Sequence, residues 1–303
     1  MMKNTSTVVN VATGVLIGLF VAAQFSFIKS KGYNDEKKAE AYYAPDLPKD
    51  FSFASEKVPM ERWDVKERLD REVLFNYYNQ ANILFLLKLA NRYFPTIEER
   101  LKANGVPEDF KYLCVAESNL LSGARSGVGA TGFWQFMNGT APGYGLEVNN
   151  EVDDRSDIIK STDAAAKYLK QAYAKFGSWT AAAASYNMGM GGYNGQSNYQ
   201  GTTNYYDLLL PEETNRYIFR ILAFKHLMEN AEDLGFKLQD SEKYHEIPYR
   251  EVTVNSSIAN LAQFARENGT TYKMLRQMNP WLKGRSLTVR GGKSYTLRLP
   301  KEA

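Results

Sequence analysis

From Val8 to Ile28 the chain reads VVNVATGVLIGLFVAAQFSFI, without a single charge. A helix of this length crosses the roughly 30 Å hydrocarbon layer of a bilayer. Lys3 precedes the run, and Lys29 and Lys31 follow it. The pattern predicts a signal anchor over residues 1–31. The alternative is a cleaved signal peptide, for which Val21-Ala22-Ala23 offers a weak small-residue site. Residues 32–64 are charged, contain Tyr and Pro and show no clear period, and they read as a linker or a loosely packed approach to the domain.

Apolar residues then settle into helical spacing. Val73, Leu74, Tyr77, Tyr78, Ala81, Leu84 and Phe85 predict a helix over Asp70–Phe94. Pro95 stops it or opens a second piece, Thr96–Ala103, which Gly105 ends. A helix from Pro107 to about Asn119 buries Phe110, Leu113, Cys114 and Val115, with Glu108 and Asp109 favourable in its first turn. Further helices are expected over Thr162–Phe176, Trp179–Asn187 and Pro211–Asn230. Ala164–Ala166 and Ala181–Ala184 allow close helix approach. The rhythm changes beyond Glu246. EVTVNSS reads as a strand and turn, IANLAQFARENG and TTYKMLRQMNPW as helices, and SLTV and YTLRLP as short strands. The expected organisation is a helical domain over 65–240 and a small β-α-α-β module over 241–303.

Composition narrows the function classes. The net charge of +3 is mild and no basic aromatic array appears, so nucleic acid is not expected as a partner. Aromatics make up 13% of the chain, including 20 Tyr, and such rings suit both helical cores and sugar faces. Cys114 is the one cysteine, so no intramolecular disulfide forms. It reads as a small buried apolar residue. His and Cys are too few and scattered for a metal site, and no cofactor is expected.

The chemistry concentrates at VAESNLLSGARSGVGATGFWQFM. Here Glu117 ends an apolar helical segment, and a Gly-rich loop closes on Phe133-Trp134-Gln135-Phe136-Met137. A glycosidic bond breaks when an acid protonates the leaving oxygen. An apolar pocket keeps a carboxylic acid protonated near neutral pH. Glu117, facing Phe133, Trp134 and Phe136, is the candidate. Asp109, Asp153 and Asp154 read as caps, turns or surface charges.

Ser185-Tyr186-Asn187-Met188-Gly189 and Pro211-Glu212-Glu213-Thr214-Asn215-Arg216-Tyr217 follow in order. Together with the Glu117 run, they resemble the family 1 lytic transglycosylases, which carry the SLT domain, and within them the membrane-bound D type. The likeness covers roughly Pro107 to Phe224. It implies a mainly α fold with a lysozyme-like (goose-type) domain. It also implies a single catalytic acid/base, Glu117, which cleaves the bond between N-acetylmuramic acid and N-acetylglucosamine and forms a 1,6-anhydro sugar. The usual Gly-Leu-Met-Gln of the family is Gly132-Phe133-Trp134-Gln135 here, and Ala-Tyr-Asn-Ala-Gly is Ser-Tyr-Asn-Met-Gly. Both retain the key polar residues.

The resemblance assigns substrate contacts to Ser126, Gln135, Met137, Tyr186, Asn187, Glu213 and Tyr217. The residues alone leave alternatives open. Ser126 is a contact to the acid or sugar, or a turn former. Gln135 offers donor and acceptor to an N-acetyl amide. Met137 lines an acetyl pocket or belongs to the core. Tyr186 steers Glu117 or the sugar. Asn187 caps or binds. Glu213 is a buried carboxylate contacting the sugar, or a helix cap, and Tyr217 closes the cleft. Trp134 and Trp179 are stacking surface or core.

The C-terminal stretch looks like a degenerate LysM module. Asn279-Pro280 matches its best-kept element, while Asn255-Ser256-Ser257-Ile258 replaces the usual opening. It binds glycan or serves as a structural appendage. The expected partners are peptidoglycan glycan strands and, through the N-terminal run, a membrane; protein partners are not indicated. The expected place is the periplasmic side of the cell envelope. A lysozyme-type hydrolase and a non-catalytic peptidoglycan-binding protein are the alternative functions.

Overall fold

The computed structural model describes residues 43–301. The expected membrane helix over Val8–Ile28 lies outside them. Among the described residues no helix is long and apolar enough to cross a membrane.

Residues 51–58 form a hairpin in which β1 (Ser52–Phe53) pairs antiparallel with β2 (Glu56–Lys57). Its turn uses positive φ at Ala54 and Ser55. This departs from the linker expected over 32–64, because Phe53 and Val58 are fully buried in the main core. The Glu56 carboxylate accepts from Ser178 Oγ at 2.8 Å, Trp179 N at 2.6 Å, Thr180 N at 2.9 Å and Thr180 Oγ1 at 2.7 Å. It thereby supplies acceptors to the free N–H groups at the start of a helix far along the chain. A hairpin this short, anchored by Phe53 on β1 and by Val58 just after β2, carries too little period to stand out in the sequence.

Helix α1 (Trp63–Tyr78) and helix α2 (Gln80–Ala103) break at Asn79, and Pro95 sits inside α2. The expected boundary at Pro95 is therefore displaced. Interior proline costs about 3 kcal/mol. Buried Leu86, Leu89, Ile97 and Leu101 flank it on both sides, and each such side chain returns about 1.5–3 kcal/mol. A short 3₁₀ turn (Glu108–Phe110) leads into α3 (Lys111–Ser118). Then come α4 (Ile158–Phe176), α5 (Trp179–Met188), α6 (Met190–Gln200) and α7 (Glu212–Glu229).

Thr180 to Ser185 on α5 are all buried. A helix enclosed on every side shows no amphipathic stripe, and its alanines let α4, α6 and α7 approach closely. The sequence does not predict α6, because Gly191, Gly192 and Gly195 make it a poor helix former. Packing of the fully buried Tyr193 holds it. α1 and α3 both lie against α7, the central strut of the domain.

The C-terminal part pairs β3 (Tyr249–Val254) antiparallel with β4 (Tyr295–Pro300), with α8 (Leu261–Glu267) and α9 (Tyr272–Met278) between them. The SLTV stretch forms only an isolated bridge, Leu287 to Ile258, and not a strand. This part has its own core, including Leu261, Leu275, Leu282, Leu297 and Leu299. Asn279 is fully buried there. Its amide donates to Leu275 O at 2.8 Å and Arg298 O at 2.7 Å, and its Oδ1 accepts from Arg298 N at 2.8 Å, which ties α9 to β4. The fold is thus mainly α, with a small α+β C-terminal part.

Candidate active site

Three helices bring their ends to one place. α3 delivers Glu117, α5 ends with Tyr186 and Asn187, and the first turns of α7 carry Glu213 and Tyr217. α3 stops immediately after Glu117-Ser118, where Asn119 adopts φ 51° and Leu120 φ 59°. Left-handed conformations are uncommon in residues other than glycine, with Asn the most tolerant. Leu120 holds its conformation because the side chain is fully buried. The chain thus leaves the helix sharply, just after the last-turn carboxylate.

Glu117 is half-buried by exposed surface yet crowded by protein atoms around its carboxyl. The carboxyl is thus packed among protein atoms while the residue keeps some contact with solvent. Loss of hydration pushes its pKa from 4.5 up to about 7. Three smaller influences act on it. The Tyr217 hydroxyl donates to Oε1, and this bond and the Arg220 guanidinium pull the value down, while the charge of Glu213 pushes it up. Burial raises the Tyr217 hydroxyl well above its ordinary range, and the neighbouring Glu117 charge adds to this, so it remains a donor.

The loop after Glu117 is pinned from both sides. Cys114 Sγ, one turn before Glu117, donates to Phe133 O at 3.3 Å, and Tyr186 OH donates to Trp134 O at 2.7 Å. Tyr186 therefore orients the loop backbone in this state, and does not hydrogen-bond Glu117, although the Glu117 charge helps to raise its pKa after burial. Gln135 follows at φ 47°. Its amide donates to Ala124 O at 3.1 Å and Gly132 O at 2.8 Å. The expected donor-plus-acceptor role is corrected: both N–H groups are committed to the loop, which leaves Oε1 to accept.

Other expectations resolve individually. The Ser126 hydroxyl accepts from Ala130 N at 3.0 Å, as a turn former does. Met137 is 42% exposed, so it is no core residue. Asn187 accepts from Thr214 Oγ1 at 2.7 Å and donates to Glu213 Oε1 at 3.4 Å, joining the ends of α5 and α7. Glu213 is exposed in the first turn of α7, which corrects the expectation of a buried carboxylate. Its place suits an acidic residue, since the helix N-terminus is partly positive. Trp134 is fully buried and donates to Thr162 Oγ1 at 2.9 Å. Trp179 is half-buried and stacks on Tyr173 at 4.1 Å.

Cys114 is buried, and the loss of hydration pushes its thiol pKa up, so it is not a thiolate nucleophile. Asp109 bonds Ala54 N at 2.7 Å and Lys225 at 2.6 Å. Asp153 and Asp154 pair with Arg155 and Lys160, each at 2.8 Å. All three are structural. Among the described residues no three His, Cys, Asp or Glu side chains gather to hold a metal.

Sequence reasoning missed Arg220 and its neighbour Glu72. Glu72 is buried, accepts from Arg216 Nε at 2.6 Å and lies 4.0 Å from Arg220 Nε. A signal existed for Arg220. Residues 213, 217 and 220 follow i, i+4, i+7 spacing and share one helix face. A separate cavity of about 630 Å³, lined by Phe94, Tyr112, Glu229 and Phe236 among others, includes none of the expected site residues. Its size does not make it the reactive site, because it lacks the crowded acid.

Comparisons with known proteins bear on this geometry. Residues 94–209 match the transglycosylase SLT domain, and residues 250–303 match the soluble lytic transglycosylase C-terminal LysM-like domain. The first match includes Glu117, Ser126, Gln135, Met137, Tyr186 and Asn187. The chain is 27% identical over 207 residues to the membrane-bound lytic murein transglycosylase D of Escherichia coli K12, covering 67% of this chain and 45% of that one. It is 28% identical over 103 residues to a putative tributyltin chloride resistance protein of an Alteromonas species, covering 34% of this chain and 50% of that one. It thus spans about half the length of these curated relatives. The solved lytic transglycosylase Slt of Pseudomonas aeruginosa, an inactive mutant, is 24% identical with a TM-score of 0.38, covering 50% of this chain and 26% of that one. The chain therefore carries a transglycosylase SLT domain followed by a LysM-like C-terminal domain, and is a homologue of membrane-bound lytic murein transglycosylase D.

Proposed function

We propose that the chain is a peptidoglycan lytic transglycosylase that cleaves the β-1,4 bond between N-acetylmuramic acid and N-acetylglucosamine. The observation that carries this reading is the carboxyl of Glu117, crowded by protein atoms and bonded by the Tyr217 hydroxyl, with its pKa raised to about 7. Near neutral pH such a group is both a usable acid and a usable base. Among the described residues, the other carboxylate whose charge acts appreciably on Glu117 is Glu213, which is exposed and engaged with Asn187. A one-carboxylate mechanism fits this arrangement better than an acid-plus-nucleophile pair.

In the first step Glu117 gives its proton to the glycosidic oxygen as the C1–O bond breaks. The substrate's acetamido oxygen stabilises the positive C1, and in this reading Gln135 Oε1 accepts from an acetamido N–H. In the second step the Glu117 carboxylate takes the proton from the muramic 6-hydroxyl while O6 bonds to C1. The proton lost in the first step is recovered in the second, and no water is consumed. Tyr217 holds the carboxylate between the two steps. Met137 and Asn187 complete the substrate-facing set in this reading, and Ser126 and Tyr186 support it through the loop they hold. Peptidoglycan as substrate places the chain in the cell envelope, on the periplasmic side, with the Val8–Ile28 run as its membrane attachment and 241–303 as a glycan-contacting module.

The test is mass spectrometry of fragments released from purified sacculi. The expected products end in 1,6-anhydromuramic acid. Products 18 Da heavier with free reducing ends assign a hydrolase instead, and no release with sacculus binding retained assigns a non-catalytic wall-binding protein.

A further inference from the structure

Residues 147–157 belong to both parts of the fold. Val148 bridges to Asp153, which closes a short hairpin, and Val152 bridges to Leu282 in the C-terminal part. Val152 is 1% exposed and lies in the C-terminal core, although it precedes that core by about a hundred residues. The main chain continues the join. Asp153 N donates to Trp281 O at 2.8 Å, and Glu151 O accepts from Lys283 N at 2.7 Å. The Glu151 carboxylate accepts from Thr288 N at 2.9 Å and from the Ser286 hydroxyl. Gly284 packs so closely on Glu151 that an added Cβ would lie 3.2 Å from its Cα.

Two residues farther, the same segment grips the loop that follows Glu117. The Arg155 side chain is buried. Its Nε and Nη2 each meet Asp153 at 2.8 Å, a planar fork held in one orientation. That pairing aims Nη1 at Phe136 O, 3.1 Å away, and Gly129 O, 3.3 Å away. The Arg155 backbone supports the same loop, because its carbonyl fills the space where a side chain on Gly132 would begin. Arg155 thus touches the loop at both ends of the Gly129–Phe136 stretch and at its middle. Its partner Asp153 hangs from Trp281.

We propose that residues 147–157 are a strut through which the C-terminal module positions the loop 124–136, with Arg155 as the positioning residue. The consequence for turnover rests on the lytic transglycosylase reading; the mechanical coupling does not. The module then has a second task beside any glycan contact, which is to hold the loop of Gln135 in place, with the Phe133 carbonyl on Cys114 of α3 and the Trp134 carbonyl on Tyr186 of α5.

Hydrogen exchange of the full-length chain tests the coupling, using Arg155→Lys and Val152→Ser with the amides of α7 as the folded reference. Arg155→Lys keeps the charge but loses the fork. Val152→Ser disturbs the C-terminal core. Both variants are expected to speed exchange of amides 124–136 by about tenfold or more, as the loop opens locally. Only Val152→Ser is expected to speed exchange in β3. Turnover on sacculi should fall by about tenfold or more in kcat for both, with KM within about twofold, since misplacing the loop spares ground-state binding. If Val152→Ser loosens β3 but leaves loop exchange and kcat at the wild-type level, the strut is overturned. It is equally overturned if Arg155→Lys alone moves the loop. If the wild-type chain releases no fragments, the functional reading fails while the exchange data still decide the coupling.

Discussion

Glu117→Gln is expected to lower sacculus turnover by at least about 10³-fold, because one general acid–base group contributes about 10²–10⁴ and this residue serves both steps. The amide is nearly isosteric. Its carbonyl oxygen can still accept from the Tyr217 hydroxyl, which bonds Glu117 Oε1 in the native chain. The site therefore keeps its geometry, and cosedimentation with sacculi should stay within about twofold of wild type. Lost turnover with retained binding separates a chemical role from a structural one. Glu117→Ala is less informative, since it leaves the buried Tyr217 hydroxyl without its acceptor. Turnover unchanged in Glu117→Gln would remove the proposed acid/base.

Gly132→Ala is expected to cost at least about 4 kcal/mol of stability or to force the loop out of place. The added Cβ would lie 1.8 Å from Arg155 O and 2.4 Å from Arg155 C, backbone atoms that no rotamer change can move. Gly132 also has φ +83°, where a side chain is strained whatever the space, by about 1–3 kcal/mol. A displacement of about 1 Å near a reacting group can cost about 10²-fold. Turnover should therefore fall about 100-fold or more even where circular dichroism shows the helices intact. Gly127→Ala is the control. Its Cβ would meet nothing within 4 Å and its φ is not in the positive region, so stability within about 0.5 kcal/mol of wild type is expected. Equal effects of the two substitutions would contradict the close-approach argument.

Legibility in the sequence followed the physical origin of each feature. Helices with an apolar stripe, such as α2 and α4, declare themselves by period. Glu117 was readable as a candidate, since an apolar run ends there and a Gly-rich loop begins. The enclosed α5 was recognisable by its alanines more than by any stripe. α6 was not visible, because its glycines argue against a helix that Tyr193 packing imposes. The Pro95 boundary went wrong for the same reason: a local preference of about 3 kcal/mol lost to burial on both sides. Within the site, residue types were readable but their partners were not. Nothing local reveals that the Gln135 N–H groups turn back to Ala124 and Gly132, or that Glu213 stays exposed in the first turn of α7. Glu56 and Arg155 act more than 20 residues away along the chain, at Ser178–Thr180 and Gly129, where one sequence offers no register.

The pKa of Glu117 tests the account most directly. Carboxyl ¹³C NMR of the full chain, labelled at glutamate and assigned by the signal missing in Glu117→Gln, follows this one group through pH. The expected midpoint is about 7. In Tyr217→Phe it should move higher, because the hydroxyl bond favours the charged form and its loss leaves desolvation less opposed. A midpoint near the ordinary 4.5, with no response to Tyr217→Phe, would mean a well-hydrated carboxylate that has no proton to give at neutral pH.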